Sequence, residues 1–118
     1  MKRYAKSPVG AHYGLGDWLL QRLTAVVMAL YTVGFAACLL IGPPATYADW
    51  KALFGGAFVR LATMLFIAAL LYHAWVGMRD IVMDYVKPTG LRLALQAVIG
   101  GALLVQLIWA ASILWGTR

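Results

Sequence analysis

Residues 54–83 read FGGAFVRLATMLFIAALLYHAWVGMRDIVM, and this stretch decides the fold. Between Arg60 and Arg79 it holds no Asp, Glu, Lys or Arg. A run of that length and character matches the ~20 apolar residues that carry a helix across a hydrocarbon core of ~30 Å. Backbone N–H and C=O groups find no water inside a bilayer, so such a run spans as a helix, which satisfies its own backbone. One imidazole, His73, lies deep inside it, and Arg79, Asp80 and Asp84 gather toward its far end. Pro88 and Gly90 then close the region.

Two further runs flank it. Residues 18–41 form a long apolar run whose one charge is Arg22, one turn from the start, and Gly42-Pro43-Pro44 ends it because Pro cannot continue the hydrogen-bond ladder. Residues 91–115 carry Arg92 at the start, Gln96 and Gln106 within, and Arg118 just beyond. The reading is an all-α membrane protein in one domain, 1–118, with three transmembrane helices at about 18–41, 54–83 and 91–115. Residues 1–16 are polar, basic and contain Gly10, Gly14 and Gly16, which predicts an extended or flexible lead-in, with Asp17 capping the first helix. The first apolar run begins too late and is too long for a signal core, so it is expected to be retained. Residues 45–53 are expected to form a short loop, with Tyr47 and Trp50 at the headgroup level.

Composition supports lipid as the solvent. Of 118 residues, 64% are hydrophobic and 12% charged, against roughly 25% charged in an ordinary soluble domain. A soluble chain this small leaves too much surface in water to hide that apolar content. The net charge of +6 comes from ten Lys and Arg against four Asp, with no Glu. These cations flank apolar runs and form no single basic face, which points to membrane topology and away from nucleic acid. Lys2, Arg3, Lys6, Arg22, Arg79, Lys87 and Arg92 fall on one side, and Lys51, Arg60 and Arg118 on the other. The positive-inside rule therefore puts the N-terminus in the cytoplasm and the C-terminus across the membrane. Cys38 stands alone and no Cys-x-x-Cys-His occurs, so any heme on this chain is non-covalent.

An ionisable residue at the bilayer centre is costly, by about 2.5–3.5 kcal/mol for Asp, Lys or Arg on the insertion scale, which makes His73 the first candidate for function. A neutral imidazole suits heme iron. Ala69, His73 and Gly77 form one helical stripe, and small residues a turn to either side leave space for a flat ligand. The same stripe also suits a close helix–helix contact, with His73 as an interhelical hydrogen-bonder. The other histidine, His12, falls in the polar lead-in, so a six-coordinate heme at His73 requires a ligand from a second chain. Asp80 and Asp84 return to the His73 face. Tyr85 lies twelve residues on, about 18 Å along the axis. Asp84 and Tyr85 then sit at the cytoplasmic interface, where a phenol can donate to a carbonyl oxygen, or where both are ordinary interfacial residues. Arg79 and Asp80 read as a local ion pair or as a contact with other subunits. Arg22 can anchor paired carboxylates or snorkel to the headgroups.

The run from His73 to Pro88, with its His-x3-Gly-x6-Asp-Tyr pattern, resembles the small hydrophobic membrane anchor of succinate dehydrogenase, the D-type subunit associated with cytochrome b556. Gln21-Arg22-Leu23-Thr24-Ala25 before a long apolar run is similar to that family's first helix. The resemblance spans nearly the whole chain. It implies that His73 is an axial ligand of heme b, that Arg22 lies near the heme propionates, and that Tyr85, with Asp84 beside it, hydrogen-bonds ubiquinone. It further implies a C-type anchor supplying the other heme ligand, an iron–sulfur subunit and a flavoprotein. It places the chain in a bacterial inner membrane, serving the respiratory chain and the tricarboxylic acid cycle. Two departures stand out. Where the family often carries a His at the first helix this chain reads Leu15-Gly16-Asp17-Trp18, with His12 further upstream, and Arg79-Asp80 is more polar than the family pattern. The competing readings are a fumarate reductase-type or heme-free anchor, and a small transporter or assembly factor using His73 and the aspartates as a proton relay.

Overall fold

A computed structural model of the chain describes residues 9–116, with side chains described over 14–116. The expectations for Lys2, Arg3, Lys6, Arg118 and the His12 side chain lie outside the described residues. The described residues form four helices and no strand: α1 (Val9–Ile41), α2 (Tyr47–Leu53), α3 (Ala57–Tyr85) and α4 (Thr89–Gly116). Gly14–Ile41 of α1, together with α3 and α4, are long and apolar enough to cross a membrane.

The helix ends differ from the sequence reading in three places, one of them, Asp17, held by a tertiary contact. The lead-in is helical from Val9, although its glycines each cost about 1 kcal/mol relative to Ala within a helix. At ~1.5 Å per residue α1 is about 50 Å long, so its added turns lie at or beyond the edge of a ~30 Å hydrocarbon core. Asp17 is therefore inside a helix and caps nothing; its carboxylate instead accepts from Arg79 of α3 at 2.6 Å. The expected loop at 45–53 contains α2, started by a capping box. Thr46 Oγ1 accepts from the Asp49 amide at 3.2 Å, and Asp49 Oδ2 accepts from the amides of Thr46 and Ala45 at 2.9 and 3.1 Å. Hydrogen bonds from Thr46 and then from Ala45 hold the Asp49 carboxyl below its ordinary range. A turn at Gly55-Gly56 leads into α3, which starts at Ala57 and runs to Tyr85. After Val86-Lys87-Pro88, α4 begins at Thr89, and Arg92 Nε donates back to the Val86 carbonyl at 3.1 Å.

α3 is the central helix, with α1 packed along one side and α4 along the other. Against α4, Trp75 lies over Gly100, where a Cβ would stand 3.3 Å from the indole ring. Against α1, Tyr31 and Thr63 share a hydrogen bond of 2.7 Å, and the Tyr31 ring stacks on Phe35 and Phe66. Among the described residues, buried hydrophobic side chains are few: Ala69, Val76 and Val82, all on α3. Leu30, Leu40, Ile41 and Phe58 point outward, each more than two-thirds exposed. A layer of three apolar helices with so little interior directs its side chains at lipid or at another protein.

Candidate functional site

α3 places His73 against α1. Its half-buried ring brings Nδ1 to 3.1 Å from the Thr24 hydroxyl, and Thr24 is itself buried. The Thr24 hydroxyl also lies 2.7 Å from the Leu20 carbonyl and 3.1 Å from that of Gln21. Nε2 of His73 makes no hydrogen bond among the described residues. One turn back, Ala69 is buried in the seam. One turn on, a Cβ added at Gly77 would meet nothing within 4 Å. The two small residues thus differ: Ala69 is buried, while Gly77 has room for a side chain of its own.

Toward the N-terminal end of α1 a cleft of about 400 Å³ is lined by Asp17, Trp18, Gln21, Arg22, Val76 and Asp80, among others. The Arg22 guanidinium lies 4.8 Å above the Trp18 ring and has no carboxylate partner among the described residues. Arg79 pairs with Asp80, as expected, at 3.5 Å, and more closely with Asp17 of α1, at 2.6 Å. Two polar atoms of this end, Gln21 Oε1 and Arg79 Nε, are buried without a hydrogen-bond partner. Asp84 and Tyr85 end α3 and are exposed, Tyr85 to 80%. Neither makes a hydrogen bond among the described residues. The structure therefore joins His73 to Thr24 and sets Arg22 in the cleft with Asp17 and Asp80, while Asp84 and Tyr85 stand apart, without a hydrogen-bond partner among the described residues.

Sequence reasoning passed over Asp17 and Thr24 as seam residues. A signal was available: Asp17, Thr24 and Tyr31 are seven residues apart on α1, and each reaches a polar partner on α3. Polar groups repeating every seven residues on an otherwise apolar helix return to one face.

Comparison with known proteins agrees with this architecture. Residues 3–110 match the succinate dehydrogenase/fumarate reductase transmembrane subunit family. The chain is similar to the succinate dehydrogenase hydrophobic membrane anchor subunit of Coxiella burnetii, 38% identical over 105 residues, covering 89% of this chain and 91% of that protein. It is also similar to the subunit of the same name from Rickettsia felis, 30% identical over 92 residues, covering 76% and 72%. With three spanning helices, a central α3 and a match over nearly its full length, the chain belongs to the succinate dehydrogenase/fumarate reductase transmembrane subunit family.

Proposed function

We propose that this anchor subunit of succinate dehydrogenase binds heme b through His73, shares it with a C-type partner anchor, and contributes Tyr85 and Asp84 to a ubiquinone site. The observation that carries the reading is the state of His73. One ring nitrogen is held by Thr24, and the other makes no hydrogen bond among the described residues. A neutral imidazole so held is a competent iron ligand. A second iron ligand would come from the partner anchor, since His12, the other histidine of the sequence, falls in the polar lead-in before the first apolar run.

Arg22 suits the propionate end of such a group, being a cation with no carboxylate partner among the described residues, beside a cleft, within one turn of Thr24. A heme bound there supplies a one-electron carrier of tunable potential. Tyr85 and Asp84 stand where the helix leaves the membrane, and a phenol there donates to a quinone carbonyl while Asp84 provides a nearby carboxylate for proton uptake. Reduction of ubiquinone consumes two electrons, delivered from the iron–sulfur subunit, and two protons from the cytoplasmic side. Succinate oxidation belongs to the flavoprotein. The whole lies in a bacterial inner membrane, with the N-terminus cytoplasmic and the C-terminus periplasmic, and links the tricarboxylic acid cycle to the respiratory chain.

The test is the optical spectrum of the purified complex carrying His73→Ala. Loss of the low-spin b-type spectrum supports the assignment. An unchanged spectrum removes His73 as ligand, and a wild-type complex without heme absorbance identifies a heme-free anchor. For the quinone role, Tyr85→Phe should lower quinone reduction at least several-fold while succinate oxidation by an artificial soluble acceptor is preserved.

A further inference from the structure

We infer that Thr24 is a positioning residue that sets the tautomer of His73, presenting the Nε2 lone pair outward as the ligand. The inference rests on the proposed heme reading only for what Nε2 binds. A hydroxyl has one hydrogen to donate. Thr24 Oγ1 lies 2.7 Å from the Leu20 carbonyl, four residues earlier on the same helix, at the usual length of an O–H···O bond. The Gln21 carbonyl at 3.1 Å shares the same direction. Back-bonding of this kind is the common habit of Thr within a helix. The contact to His73 Nδ1 is longer, 3.1 Å, close to the N–H···O range. With its hydrogen committed to the backbone, Thr24 can only accept from His73. Nδ1 must then carry the ring proton, and in a neutral imidazole that leaves Nε2 with the lone pair.

Two features make the assignment durable. Thr24 is buried, so solvent does not compete for its oxygen. The contact also joins two helices at residues 49 apart in the chain, so the orientation of the ring is set by the α1–α3 packing and not by α3 alone. A hydrogen bond to the non-ligating nitrogen also raises the basicity of the ligating one, which favours ferric over ferrous iron and lowers the midpoint potential.

The experiment compares the complex carrying Thr24→Val, Thr24→Ser and His73→Ala, scored by heme retained per complex, low-spin spectrum and midpoint potential. Valine keeps the shape and removes the acceptor. Expected for Thr24→Val is heme affinity lower by about 10-fold or more and a midpoint potential shifted upward, the usual consequence of deleting a partner of a ligating His. Thr24→Ser, which retains the hydroxyl, should restore both, separating a hydrogen-bonding role from mere packing. Wild-type affinity and potential in Thr24→Val overturn the inference while leaving His73 as ligand. Equal defects in Thr24→Val and Thr24→Ser also overturn it, because packing then accounts for the loss. An unchanged spectrum in His73→Ala overturns the ligand assignment itself and is recognised independently of Thr24.

Discussion

The contact between Asp17 and Arg79 should be the strongest polar tie between α1 and α3, and its size follows from the structure. Two unit charges about 4 Å apart attract by about 4 kcal/mol at an effective dielectric of about 20. Desolvation and residual exposure offset most of this. The two side chains keep 28% and 37% of their surface exposed, so the pair is neither a surface ion pair nor a dry one. Exposed pairs contribute about 0.2–1 kcal/mol. Hydrogen bonds to charged groups contribute about 1.5–3 kcal/mol. An intermediate coupling of about 1–1.5 kcal/mol is expected for Asp17–Arg79. The alternative partner, Asp80, sits at 3.5 Å with 60% of its side chain exposed, and its coupling to Arg79 should stay below about 0.5 kcal/mol.

A double-mutant cycle separates the two. Asp17→Asn, Arg79→Gln and their combination are introduced into the complex, with Asp80→Asn paired to Arg79→Gln in a second cycle. Each variant is unfolded by rising SDS in mixed micelles and followed by the fluorescence of the chain's tryptophans. The reasoning is refuted if the first cycle couples by less than about 0.3 kcal/mol, the scatter expected of independent sites. It is equally refuted if the second cycle exceeds the first, because the pair would then be local to α3 and the start of α1 would be held by something else.

Other consequences are simpler to read. Gly100→Leu should push Trp75 out of its place against α4 and lower the unfolding midpoint in SDS by the ~1–3 kcal/mol typical of overpacking, with Gly100→Ala less severe because only one contact, at 3.3 Å, needs to give. Tyr31→Phe removes the hydrogen bond to Thr63 while keeping the ring stacked on Phe66, and should cost about 0.6 kcal/mol, and at most about 1.7, in the same assay. The Asp49 carboxyl should titrate below 3.8 by carbon NMR. Because the folded value is the depressed one, the capping box stabilises α2 fully above 3.8 and loses that contribution as pH falls through the folded value. Thr46→Ala should move the titration back toward 3.8.

The three spans were legible because length, apolar content and the prolines after α1 and α3 are local properties. What the sequence did not disclose was tertiary or depended on a variant of a known signal. The capping box of α2 uses Asp49 where Glu or Gln is the usual partner, and Tyr47 and Trp50 drew attention to the interface instead. The early start of α1 hides behind three glycines. Asp17 looks like a helix cap until Arg79, 62 residues away, is brought beside it. For the site, the type and depth of His73 could be read directly, but not which neighbour holds it, since Thr24 is 49 residues distant. The stripe of Ala69 and Gly77 was ambiguous in sequence because size alone does not tell a packed position from an open one. The structure separates them.

The α1–α3 seam also explains why fold and site cannot be divided in this protein. Apolar side chains gain little by leaving lipid for one another, so membrane helices associate through packing and interhelical hydrogen bonds. Here the bonds across the seam run in order along α1: Asp17 to Arg79, Thr24 to His73, Tyr31 to Thr63. The middle one is also the proposed ligand contact. A change that frees His73 from Thr24 therefore weakens the helix pair, and a change that slides α1 along α3 turns the imidazole. With a spacing of seven, a slip by one residue rotates α1 by about 100° and moves all three polar groups off the seam together. Register and ligand orientation are thus set by the same three contacts, which is why the outer pair, far from the imidazole in depth, is expected to bear on how firmly His73 is aimed.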